Sequence, residues 1–253
     1  MTASLLRVRW LTPDWPAPPG VHALSTLRGG GVSVGPYESL NLGAHVGDAP
    51  ASVAENRHRL SASVALPADP AWLAQVHGTE VVDLDAAQPA YEADASFTRK
   101  MARVCAILTA DCLPVLLATQ SGDVVAAAHA GWRGLASGVL EATVRALAVP
   151  PESLMAWLGP AIGPRHFEVG AEVRKVLLHA DSGAAAAFQE SESGRWMANL
   201  ALLARRRLAA LGMTRIYGKT ECTYAQPDRY FSHRRDGQTG RQATLIWRAP
   251  PPG

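Results

Sequence analysis

The chain has 253 residues, 48% of them hydrophobic and 18% charged, a balance suited to a soluble globular protein with one sizeable buried core or two small ones. Twenty-four Lys plus Arg against 22 Asp plus Glu leave a formal charge of +2, well short of the basic excess of a phosphate-backbone binder, so nucleic acid is not an expected partner. No apolar run approaches the roughly 18 residues of a membrane span, and residues 1–19 are broken by Arg7, Arg9, Asp14 and several prolines, so the expected setting is cytoplasmic, with no targeting segment and no membrane partner.

No repeat, low-complexity tract or charge block divides the sequence, and residues 1–253 read as a single domain. Apolar residues at helical spacing (Val53, Leu60, Val64) behind the start signals Asp48 and Pro50 predict a helix over 51–66. A short strand over 71–76 follows and places His77 at its end, where Gly78 frees the backbone to turn. Short apolar runs bounded by turn residues predict buried strands over 81–84, 103–108, 113–118 and 124–128. A helix over 134–148 comes next, with Leu135, Val139, Val144 and Leu147 inward, then a strand over 154–158. Helices over 171–178 and 199–211 and strands over 214–217 and 243–247 complete the chain. Some strands precede helices and others adjoin as hairpins, so the expected class is α/β or α+β: a layered sandwich of mixed β-sheets covered by helices.

The chemistry concentrates between Thr109 and Gly134. If Thr119–Gly122 is a four-residue hairpin turn, Cys112 falls directly opposite His129. Opposed residues share a sheet face with Cβ atoms about 4.5–5.5 Å apart, close enough for a thiolate and an imidazole to hold one metal ion. As a pair alone they also fit a buried cysteine beside a satisfied histidine. His77 supplies the missing third donor. Two His and one Cys suit zinc and leave one tetrahedral position open, the arrangement of a catalytic centre. The three cysteines, Cys105, Cys112 and Cys222, are too few for a disulfide framework. His22, His45, His58, His166 and His179 read as surface or loop residues, and His233 is placed near the site only by its arginine neighbours.

Three segments combine Arg with Gly and suit an oxyanion: 28–33, 131–134 and 231–237. The second is the best placed, because it follows His129 and opens a predicted helix. Asp111, beside Cys112, reads either as a turn-making residue or as an acid/base near the metal.

Taken together, Arg28-Gly-Gly-Gly-Val-Ser, Ser39-Leu-Asn-Leu-Gly43, His45-Val-Gly-Asp48, Glu55-Asn-Arg57, Gln75-Val-His-Gly78, Thr109-Ala-Asp-Cys112, His129-Ala-Gly-Trp-Arg-Gly134, Gly159-Pro-Ala-Ile-Gly163, Cys222-Thr223 and Ser232-His-Arg-Arg-Asp-Gly237 make the chain resemble the YfiH-type laccase-domain family over nearly its whole length. That family is also described as zinc-dependent purine nucleoside phosphorylases. The resemblance implies zinc on His77, Cys112 and His129, and phosphorolysis of adenosine, inosine and methylthioadenosine together with adenosine deamination. His233 departs from the aromatic residue expected at its position.

On that reading the small-molecule substrates are a purine nucleoside and phosphate. Arg28 and Arg234 are expected to hold phosphate, with Arg133 in the second Gly-bearing segment, Asn41 and Ser232 as hydrogen-bond partners and Asp111 as proton shuttle. The laccase name suggests copper-dependent polyphenol oxidation instead. Against it, the eight histidines contain no His-x-His pair, and one Cys with two His cannot build both a blue-copper site and a three-copper cluster, although a single copper could occupy the same ligands. Other readings are a Cys112–His129 amidase acting on peptidoglycan precursors, which does not require His77, and a binding protein without turnover.

Overall fold

The computed structural model describes residues 7–86, 92–219 and 221–250. Two mixed sheets lie face to face. One has the strand order Trp10–Leu11, Val21–Thr26, Gln242–Arg248, Val104–Thr109, Ala71–Trp72. The other runs Arg215–Tyr217, Leu154–Leu158, Leu113–Thr119, Val125–Ala130, Ala95–Thr98, Val81–Asp83. A three-stranded antiparallel sheet, Glu168–Val169, Trp196–Ala198 and Phe188–Glu190, stands apart.

Side-chain alternation along each strand explains the layering. Val115, Leu117, Ala126 and Ala128 point to one face of the six-stranded sheet and pack with Leu135, Val139, Leu140, Val144, Leu177, Leu203 and Leu208 of the covering helices. Their neighbours Leu116, Val125 and Ala127 point the other way and meet Cys105, Ile107 and Ile246 of the five-stranded sheet. Val104, Ala106, Leu108 and Leu245 face outward to Leu60 of the Pro50–Val64 helix. The result is the expected mixed α/β sandwich, with helices outside two sheets. No helix among the described residues is long and apolar enough to cross a membrane.

Several elements differ in extent from the sequence reading. The helix expected over 134–148 is two helices, Trp132–Ser137 and Val139–Ala146, divided at Gly138, whose φ of 95° no α-helical residue adopts. The strand expected over 71–76 ends at Trp72. Val21–Thr26 and Ala95–Thr98 were not anticipated, because Ser25, Thr26, Ser96 and Thr98 interrupt their apolar pattern and yet are fully buried. Ser25 and Thr244 meet hydroxyl to hydroxyl across the sheet at 2.9 Å.

The hairpin register also differs. Ala118 pairs with Val125 and Pro114, not Cys112, with His129. The loop is longer because Thr119 Oγ1 accepts from the N–H groups of Asp123 (2.9 Å) and Val124 (3.2 Å), while Gly122 takes a φ of 77°. The displacement is two residues, an even number, so the facing expected of His129 is kept, while Cys112 lies one residue outside the strand.

Candidate metal centre

The five-stranded sheet gives up the chain at Thr109 and the six-stranded sheet receives it at Leu113, so Ala110–Cys112 cross between layers. Asp111 makes that crossing with a φ of 94°. Its carboxylate accepts from the Thr223 hydroxyl (2.6 Å) and from the Arg234 N–H (2.7 Å). Asp111 is buried and does not line the adjoining cleft; it anchors the loop that presents Cys112.

His77 arrives from a loop tied to the other sheet. Gln75 bonds the Leu108 backbone twice, donating to its carbonyl and accepting from its N–H, each at 2.8 Å. The turn expected at Gly78 is made by His77 itself, with a φ of 62°. A left-handed non-glycine residue costs about 1–2 kcal/mol and persists only where its surroundings impose it. Here they are the carboxylate of Asp94, which accepts from the N–H groups of Val76 (3.1 Å), His77 (2.9 Å) and Gly78 (2.6 Å).

The same carboxylate bonds His129 Nδ1 at 2.7 Å. Nδ1 is therefore the protonated nitrogen, and Nε2 is left as the ligand atom. Asp94 is fully buried. Burial disfavours its charge, but the His129 hydrogen bond and the backbone N–H donors hold it below the ordinary carboxylate range. Sequence reasoning missed it; its only signal is an acidic residue between Ala93 and Ala95 in a stretch that enters a strand.

One donor atom each from His77, Cys112 and His129 lies within 4.8 Å of the other two. Cys112 Sγ is 3.8 Å from His77 Nε2, and the two imidazole rings meet edge to face with centroids 4.8 Å apart. Tetrahedral zinc, with Zn–S about 2.3 Å and Zn–N about 2.0–2.1 Å, sets such donors about 3.5 Å apart, so the residues fit the ion with small adjustment. Burial disfavours the Cys112 thiolate, yet the charge of His129 and hydrogen bonds to His129 and His77 outweigh it and lower the thiol's pKa. Burial likewise opposes the His129 charge, and Cys112 and Asp94 overturn it in the raising direction. Gly131 is required by space: a Cβ there would lie 2.8 Å from Cys112 Sγ and 3.1 Å from His77 Cδ2.

The three residues open into a cleft of about 280 Å³ that Gln75, Arg133, His45, His233 and Arg241 also line. Of the expected anion binders, only Arg133 is here. Arg28 lines a separate surface cleft, donating from Nε to Glu38 O and from Nη1 to Pro227 O, both at 2.9 Å. Arg234 lies over Phe167 and donates to Glu168 O at 2.8 Å. Asn41 and Ser232 are fully buried. Asn41 bonds Gly43, Asp48 and the Arg241 N–H, and Ser232 caps the short helix His233–Asp236. His45 and Arg241 belong to the cleft and were missed, because segments distant in sequence carry them there.

The sequence pattern of the family described as multi-copper polyphenol oxidoreductase laccase matches residues 22–249. The chain belongs to that family. Among relatives of this laccase-family chain, purine nucleoside phosphorylase YfiH of Escherichia coli (strain K12) is 53% identical over 238 residues, covering 94% of this chain and 98% of the relative. A purine nucleoside phosphorylase of Pseudomonas aeruginosa is 54% identical over 239 residues, with the same coverage. The crystal structure of Neisseria meningitidis protein NMB0706 superposes with a TM-score of 0.89 at 49% identity, covering 94% of this chain and 98% of that one. YlmD from Geobacillus stearothermophilus gives 0.89 at 32% identity, with coverages of 94% and 96%.

Proposed function

We propose that this chain is a purine nucleoside phosphorylase dependent on one zinc ion held by His77, Cys112 and His129, acting on adenosine, inosine and methylthioadenosine and deaminating adenosine in the same cleft. The observation that carries the reading is a His–Cys–His donor set opening on a cleft, in a chain half identical over nearly its whole length to relatives named purine nucleoside phosphorylase.

In phosphorolysis a phosphate oxygen bonds the ribose anomeric carbon as the bond to the purine nitrogen breaks, its electron pair leaving with the base. Zinc bound here would supply Lewis acidity and a water deprotonated near neutral pH, the second being what deamination at the purine C6 uses. The chain's own residues set the conditions. Asp94 fixes the tautomer and ring plane of His129 and, through three N–H bonds, the loop that carries His77. Asp111 holds the crossing that presents Cys112, and Gly131 keeps the floor open.

Copper oxidation of polyphenols has the family description in its favour. It has less from ligand supply: His77, Cys112 and His129 form the one group of three or more potential metal donors among the described residues, enough for a single ion and not for several coppers. Metal analysis of the purified protein, combined with chromatography of the products from adenosine and inosine with and without phosphate, tests the reading. It expects about one zinc per chain, ribose 1-phosphate from inosine only when phosphate is present, and inosine or hypoxanthine from adenosine. Equal hypoxanthine release without phosphate would make the protein a hydrolase.

A further inference from the structure

We propose that the phosphate consumed in this reaction is held on the cationic wall of the metal-centre cleft by Arg241, with Arg133, His45 and His233 completing the oxyanion site; the proposal rests on the phosphorylase reading above. Besides the three candidate metal ligands, the cleft is lined by two arginines and two histidines, and by no carboxylate. Asp94 accepts from His129 and the His77 loop, and Asp111 from the Thr223 hydroxyl and the Arg234 backbone N–H, so neither carboxylate is hydrogen-bonded to an arginine of the wall, although Asp111 and the Cys112 thiolate act on Arg241 through space. Arg241 is half-buried, and a partly desolvated guanidinium without a hydrogen-bonded carboxylate is stabilised by an anion that joins it.

Arg241 is the group best built for this work. Its N–H donates to Asn41 Oδ1 at 2.9 Å, and its stem crosses Gly43, where a Cβ would come within 2.8 Å of Cγ. Nη1 donates to Thr239 O (2.9 Å) and Gly240 O (3.0 Å). The guanidinium is thus fixed through one nitrogen. Nε and Nη2, which share the opposite edge, make no hydrogen bond among the described residues. That edge is the fork that grips two oxygens of a phosphate, and its rigidity is secured before the anion arrives.

The neighbours agree. Arg133 is exposed, stacked over Trp132 at 4.4 Å, with no hydrogen bond from its guanidinium among the described residues. His233 donates from Nδ1 to Gly237 O at 2.6 Å, leaving Nε2 to the cleft. His45 lines the same cleft, and burial, followed by the charge of Arg241, lowers its pKa, so it joins the site as a neutral imidazole that hydrogen-bonds the anion. By contrast, Arg28 shares its cleft with Glu38 and Asp228 and has given Nε and Nη1 to backbone carbonyls. The atom balance is that of simple substitution: the phosphate oxygen gains the anomeric carbon, the base leaves with the bonding pair, and the proton of hydrogen phosphate ends on the purine. No oxidant or reductant enters.

The test measures KM for phosphate and for inosine on the metal-loaded enzyme, together with calorimetric titration of inorganic phosphate without nucleoside. Loss of a charged, bidentate contact should raise the phosphate KM of Arg241→Gln by about tenfold or more and weaken calorimetric binding equally, while the inosine KM stays within about twofold. Arg133→Gln, a surface change, should raise the phosphate KM about threefold. If Arg241→Gln does not fold, as judged by its circular dichroism, Arg133→Gln and His45→Gln decide. Unchanged phosphate binding in a folded Arg241→Gln, or in both replacement variants, overturns the proposal, as does wild-type enzyme that binds no phosphate. Wild-type phosphate binding lost in Arg241→Gln, without ribose 1-phosphate ever forming from inosine, would leave the oxyanion site standing and sink the phosphorylase reading alone.

Discussion

Asp94→Asn should damage the metal centre without touching a metal ligand. Each oxygen of Asp94 accepts two hydrogen bonds: Oδ1 from His129 Nδ1 and the His77 N–H, Oδ2 from the N–H groups of Val76 and Gly78. Asparagine keeps the shape but turns one oxygen into an NH₂ donor, which faces two donors in either orientation of the amide. At least two charge-assisted bonds are lost, each about 1.5 kcal/mol at the lower end, so stability should fall by about 3 kcal/mol. For a chain of this size that is a drop in Tm of about 6–12 °C. Because His77 loses the contacts that impose its left-handed φ and His129 loses its orienting partner, zinc affinity should fall about ten- to a hundredfold. Thermal melting and zinc competition against a chelator read the two effects separately. A variant that melts within about 1 °C of wild type and binds zinc within about twofold would refute the claim that one carboxylate organises two of the three ligands.

Gly131→Ala places a methyl against Cys112 Sγ and His77 Cδ2, so bound zinc, measured by mass spectrometry of the native protein, should fall well below one per chain while the circular dichroism spectrum is retained. Cys112→Ala should abolish stoichiometric zinc, and full retention on metal analysis would contradict the ligand set. Burial pushes the Cys105 thiol up to about 12, so iodoacetamide should leave it unmodified in native protein. In peptide mapping, Cys112 labelling should rise on chelation, since its thiol is shifted the other way. The Asp94 carboxyl is depressed in the folded state, so its contribution is complete at neutral pH and is lost as pH falls from its unfolded value, about 4, through its lower folded value. Urea unfolding of Asp94→Asn should accordingly depend less on pH than wild type below about pH 4.

Local pattern alone determined a good deal. The run Leu154–Leu158 and the Pro-initiated helix Pro50–Val64 follow from apolar spacing and start signals that act over a few residues. That Cys112 and His129 lie near one another was legible although their expected pairing was not found. Side chains alternate with period two, so a register wrong by two residues still gives His129 its expected facing, and Cys112, next to the start of the strand, stays within reach of it. His77 was legible as a donor at the end of a strand-like run, even though the residue that turns is His77 and not Gly78.

What only the tertiary structure decided is whatever depends on charge balance and on hydrogen bonds between distant segments. Asp94 meets His129 across 35 positions, and nothing in its neighbours marks it as the carboxylate that orders the site. Arg28 and Arg234 carry the same guanidinium and similar glycines as Arg241 and Arg133, yet folding gives donors of the first two to backbone carbonyls outside the cleft. It leaves a whole edge of Arg241 unpaired beside the metal ligands. A sequence states which donors a chain possesses. Which of them remain unsatisfied, and can therefore bind something else, is settled only when every buried backbone carbonyl has found its partner.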